Sequence, residues 1–160
     1  MSLVYPTEQQ YLQVKNWFNN HQEIFTWGGP NMACPMSDEN FLKNLTADHF
    51  KSFCLLNDEQ QLVAFGQYYR RLDHHHLGRL AVNPNYRRQG LGKILITKIL
   101  EQAFLDQAAK GASLFVFRDN IVAYQCYQSL GFIETDYPEQ PFPGNMQNCA
   151  YMVLSAPNPQ

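Results

Sequence analysis

The chain has 160 residues, 45% of them hydrophobic and 14% aromatic, with a formal net charge of -2. One domain of that size buries about two-thirds of the surface its unfolded chain exposes, and this composition excludes disorder. The charge balance provides no global basic field for nucleic acid or membrane lipid, and no apolar run is long enough to span a bilayer.

Leu3-Val4-Tyr5 reads as a first strand stopped by Pro6. Thr7 and Gln10 form a capping box for a helix reaching about Asn19, with Tyr11, Leu12, Val14, Trp17 and Phe18 as its buried stripe. Ile24 to Met32 is aromatic yet rich in Gly and Pro and reads as a loop. Its Phe25, Trp27 and Met32 either pack back on the core or line an acceptor pocket. Ser37 is placed to cap a short helix, Asp38 to Leu45. Strands over Phe50–Leu56 and Leu62–Tyr69 flank the turn Asn57-Asp58-Glu59-Gln60, and a third strand runs His74–Val82.

A strongly apolar helix follows from Leu91 to about Phe104, then a turn at Lys110-Gly111 and a buried strand, Ser113–Phe117. Asn120 caps a helix over Ile121–Leu130, which Gly131 ends. Phe132–Tyr137 and Met146–Leu154 are the last strands, around a proline-rich loop, Pro138–Gly144, and before a frayed tail, Ser155–Gln160. The order predicts an α/β fold: one domain over 1–160 with a mixed, mostly antiparallel central sheet and helices on both faces.

Cys34, Cys54, Cys126 and Cys149 are scattered without a C-x-x-C pair, which fits reduced thiols in a cytoplasmic protein. No basic-then-apolar leader is visible at the N-terminus, so no signal peptide is expected. The arginines sit in local pairs, Arg70-Arg71 and Arg87-Arg88, the distribution of discrete anion sites.

Strand, loop and helix start follow one another without a gap across Leu80 to Lys93. A helix N-terminus presents unpaired N–H groups and partial positive charge, and glycines admit a bulky anion close to the backbone. Ile94 stands where a P-loop needs Ser or Thr, and Leu95 where a dinucleotide fingerprint needs Gly or Ala. The spacing of Arg87, Gly90 and Gly92, after Val82-Asn83-Pro84, resembles the signature of the GNAT family of N-acetyltransferases. A second stretch, Asn120-x-x-Ala123-x-x-x-Tyr127-x-x-x-Gly131-Phe132, resembles that family's other signature.

The resemblance covers essentially the whole chain and implies acetyl-CoA as co-substrate and a primary amine, on a small molecule or a protein, as acceptor. It implies that Arg87, Arg88, Gln89, Gly90, Leu91, Gly92 and Lys93 hold the pyrophosphate. Backbone around Leu80, Ala81 and Val82 would hold the pantetheine arm and polarise the carbonyl, and Asn120, Ala123 and Tyr127 would lie near the thiol. Tyr127 would protonate the departing thiolate, and His76 matches the family's base position. On a strand His74 and His76 share a face while His75 points away, so no metal site is expected. A monomer or homodimer is expected, and the competing class is a CoA-binding module without turnover. Neither nucleic acid nor membrane is expected as a partner.

Overall fold

Local capping sets the helix starts. In the computed structural model, which describes residues 1–32, 36–140 and 147–158, Thr7 and Gln10 close the expected capping box on α1 (Glu8–Lys15). Asn20 accepts from the Glu23 N–H and starts α2 (His21–Gly28), and Ser37 does the same for α3 (Asp38–Leu45).

Helix α2 corrects the loop expected over Ile24–Met32. Gly28, Gly29 and Pro30 break only its C-terminal end, where Gly29 has φ of 93°. Helix α1 is also shorter than expected: the chain leaves it at Asn16, so Trp17 and Phe18 pack against the core from outside the helix.

The remaining elements are β1 (Ser2–Val4), β2 (Lys51–Leu56), β3 (Leu62–Arg71), β4 (His74–Val82), α4 (Leu91–Asp106), β5 (Gly111–Phe117), α5 (Ile121–Ser129), β6 (Ile133–Thr135) and β7 (Cys149–Ser155). A single 3₁₀ turn, Pro84–Tyr86, leads from β4 toward α4. The seven strands form one sheet in the order β1-β2-β3-β4-β5-β7-β6, antiparallel everywhere except β4 with β5. Strand β6 is shorter than the expected Phe132–Tyr137, and β5 begins two residues earlier than expected. Ser155, placed in the frayed tail, is the last residue of β7. Cys34, Met146, the Pro141–Gly144 part of the proline-rich loop and the last two tail residues lie outside the described residues.

Two apolar cores sandwich the sheet. On one face the α4 residues Leu91, Leu95, Ile96, Ile99, Leu100 and Ala103 bury against Leu77, Leu114, Val116 and Met152, with Tyr127 of α5 at the margin. On the other face α1, α2 and α3 cover β2 and β3 with Tyr11, Val14, Ile24, Phe41 and Leu45 around Phe65 and Cys54. Removing this much apolar surface from water is the main force that holds both helix layers to the sheet.

Candidate active site

Strands β4 and β5 pair in parallel only from His74/Gly111 to Leu77/Leu114. Beyond that row they part, so the β5-facing backbone of Gly78–Val82 has no strand partner in the sheet. A bulge on β4 accompanies the parting. Gln67 pairs with Gly78 and Phe65 with Ala81, so Arg79 and Leu80 both stand opposite Gly66.

The bulge is fixed from both sides. Arg79 has φ of 51°, and its guanidinium donates to the carbonyls of Gly28 (3.1 Å) and Asn44 (3.1 Å) and to Gln67 Oε1 (3.2 Å). It also lies 4.6 Å over the Phe50 ring, and burial lowers its pKa to about 10. Gly66 leaves the space that Leu80, Leu95 and Ile99 fill; a Cβ there would stand 2.7 Å from Leu80 Cδ2. Arg79 thus ties the ends of α2 and α3 to the strand that opens the cleft.

At one end of the cleft stands the glycine loop. Gly90 has φ of 72° and Arg88 φ of 64°, a left-handed geometry that turns successive N–H groups toward one side. No side chain caps α4 and no acid sits in its first turn. Arg87, Arg88, Gln89 and Lys93 are exposed, whereas Leu91 is buried in the core and offers only its backbone. A Cβ added at Gly92 would meet no protein atom within 4 Å, and its φ is not in the left-handed range. The fold itself does not require glycine there. These features fit a pyrophosphate.

Helix α5 packs beside α4 on the same face. Asn120 caps it by accepting from the Ala123 N–H at 3.3 Å, and Ala123 and Tyr127 fall one turn apart. Tyr127 is half-buried, with its ring edge-on to Phe132 at 6.2 Å. Among the described residues its hydroxyl has no hydrogen-bond partner, and burial pushes its pKa up to about 12. The neighbouring Tyr124 hydroxyl is already engaged, donating to Glu134 at 2.7 Å.

His76 faces the opposite side of the sheet, as its strand alternation with His74 requires, and His75 faces α4. His75 points under α4, against Phe104 and the Gln107 carbonyl, while His74 reaches the Leu72 carbonyl. His76 is 3% exposed, with Nδ1 2.8 Å from Ser113 Oγ and its ring between Tyr69 and Phe115. The three rings are thus engaged separately, and among the described residues no group of three His, Cys, Asp or Glu side chains is arranged around a metal position. Burial first, then the charges of Arg71 and His74, lower the His76 pKa to about 3.

Because the folded value lies below 6.5, the unfolded chain binds more protons between those limits. His76 therefore contributes stability that is present above pH 6.5 and is lost as pH falls toward 3. His75 acts in the same direction, again through burial. Thermal melts at stepped pH are expected to show this loss, with a shallower slope in His76→Gln; equal slopes would place its origin elsewhere.

Of the proposed acceptor residues, Met32 is 2% exposed and Trp27 packs among Phe18, Phe41 and Phe65, so both belong to the second core. Phe25 is 37% exposed on α2. Three cysteines, Cys54, Cys126 and Cys149, are free thiols whose pKa burial raises, the sense opposite to nucleophile activation. Arg71 and Arg79 gain positions beside the cleft, and Ser113 a buried one beneath it, that sequence spacing does not show. Only the Arg70-Arg71 pairing was a signal for any of them.

Comparisons with known proteins agree with this geometry. The sequence pattern of the Acetyltransferase (GNAT) family matches residues 13–132. The [Ribosomal protein bS18]-alanine N-acetyltransferase of Escherichia coli (strain K12) is 30% identical over 111 residues, 69% of this chain and 73% of that protein. Its counterpart from Haemophilus ducreyi is 29% identical over 126 residues, 75% and 83% of the two chains. Spermidine N-acetyltransferase from Vibrio cholerae, solved with CoA and spermine, superposes with a TM-score of 0.75 over 96% of this chain and 94% of its own. At 16% identity that likeness is one of fold. A mixed seven-stranded sheet with parted β4 and β5, an uncapped glycine-loop helix and two matching signatures lead to one conclusion: the chain belongs to the GNAT family of acetyltransferases.

Proposed function

We propose that the chain transfers the acetyl group of acetyl-CoA directly to a primary amine held in the cleft between β4 and β5. The observation that carries the role assignments is the Tyr127 hydroxyl, which has no protein partner among the described residues and sits on a helix flanking the cleft. A phenol with a pKa near 12 keeps its proton at neutral pH and can deliver it to a thiolate.

In the reaction the amine lone pair attacks the thioester carbonyl carbon. As the C–N bond forms and the C–S bond breaks, the sulfur takes the Tyr127 proton and the nitrogen sheds one to solvent, from which the Tyr127 phenolate then regains its own. Unpaired backbone N–H groups on β4 past Leu77 are available to the carbonyl oxygen. The loop from Arg87 to Lys93 holds the pyrophosphate, with the Leu91 contribution limited to its amide. Asn120 and Ala123 shape the wall beside the thiol. His76 is neutral in this setting and lies buried against Ser113 beneath the opening; its low pKa makes it a weak base, so solvent is the better proton sink.

Acetyl-CoA with a panel of amines is the direct test: free CoA thiol should appear only when an amine acceptor is present. Its kcat/KM should rise with pH as the amine deprotonates, with no imidazole limb near pH 6.5. Thiol release that ignores every amine would reject direct transfer.

A further inference from the structure

Arg71 belongs to β3, where it pairs with His74, yet its side chain crosses β4 and reaches β5. Its Cζ lies 5.2 Å from the Phe115 ring, and that ring is 4.9 Å from His76. Phe115 is the first β5 residue past the last paired row, so the guanidinium lies against a residue that borders the opening. Its partners are unusual. Nε donates to the Tyr137 hydroxyl at 3.0 Å and a terminal nitrogen to the Tyr69 hydroxyl at 3.0 Å, and the Tyr137 ring lies 5.5 Å away.

Two of its five N–H bonds are thereby used, both on tyrosine hydroxyls. Among the described residues no carboxylate lies within 4.0 Å of it, whereas Arg70 has Asp73 and Arg118 has Glu134. Arg79 faces three oxygen acceptors instead. A half-buried guanidinium held rigid against aromatic rings is pre-oriented for a planar, two-oxygen anion, and reduced solvent strengthens that attraction. The same charge repels a second ammonium group.

Resting on the acetyl-transfer reading above, we infer that Arg71 anchors a carboxylate of the acceptor. The acceptor class is then a primary amine that also carries a carboxylate, of the amino-acid kind, and not a polyamine. Asp136, in the adjoining groove lined by Arg118, Glu134, Tyr137 and Tyr151, is the competing charge. Glu134 there is already held by Arg118 and Tyr124.

Matched acceptors test the assignment by thiol release from acetyl-CoA: L-alanine against L-alaninamide, β-alanine against ethylamine, and spermidine. The carboxylated member of each pair should have at least a tenfold higher kcat/KM. Arg71→Gln should erase that preference by raising KM for the acids alone, and Arg71→Lys should restore part of it while keeping charge in the aromatic wall. Preference for spermidine or for the amides would overturn the inference in favour of Asp136, as would an equal loss for every acceptor in Arg71→Gln. If no amine releases thiol, the transfer reading fails separately. Calorimetry of N-acetyl-L-alanine and N-acetyl-L-alaninamide on the CoA-loaded protein then reads the same contact. At least tenfold tighter binding of the acid, lost in Arg71→Gln, supports the anchor; equal binding, or none by either, overturns it.

Discussion

Replacing Tyr127 by phenylalanine is expected to lower kcat by about 10²–10⁴-fold, the range for loss of a general acid, with CoA affinity nearly unchanged. The substitution is unusually clean. The edge-on packing against Phe132 survives, because only the hydroxyl is removed. That hydroxyl has no protein partner among the described residues, so its loss strands no buried donor or acceptor. The melting temperature should therefore stay at the parent value. Steady-state kinetics and a thermal melt check both halves; a kcat within about twofold of the parent would reduce Tyr127 to a packing residue.

The second large effect is expected at Gly92. Valine there should weaken CoA binding by about ten- to a hundredfold, or ~1.4–2.8 kcal/mol, while the protein stays folded. This glycine differs from its neighbour. Gly90 sits at φ of 72°, so any side chain there strains the backbone and confounds stability with binding. Gly92 opens the first turn of α4 with no left-handed φ, and an added Cβ meets no protein atom. A β-branched residue in that turn is no worse a helix former than the glycine it replaces. What it obstructs is the approach of a bulky anion to the uncapped amides. Isothermal titration with CoA measures this directly, and unchanged affinity in a folded Gly92→Val protein would remove the pyrophosphate from this loop.

These expectations place the two substrates at different walls of one cleft. The glycine loop and Tyr127 lie on the α4 and α5 side of the sheet. His76, Phe115 and Arg71 lie on the other side, around aromatic rings. Parting of β4 from β5 connects the sides, and the Arg79 bulge ties that opening to α2 and α3. Acceptor recognition and thioester handling can then vary independently on one scaffold.

Parts of the fold governed by local spacing are legible in the chain. Capping residues Thr7, Ser37 and Asn120 announce their helices because their side chains bond to amides within three residues. The strand–loop–helix run from Leu80 to Phe104 is legible because anion binding needs glycines and arginines adjacent in the chain. Helix α2 was missed because Gly28, Gly29 and Pro30 weaken local propensity, whereas burial of Ile24 and Trp27 against Phe65 and Phe41 supplies the missing stability.

The rest depends on contacts between segments far apart in the chain. Arg71 meets Phe115 and Tyr137 across 44 and 66 positions of chain, and Arg79 meets Gly28 across 51. The electrostatic state of His76 follows from rings contributed by β3 and β5 and from a cation at the end of β3. Spacing along a chain reports which residues share a turn or a face. Charge state depends on what encloses a group, and that enclosure comes from segments that meet only when the sheet closes.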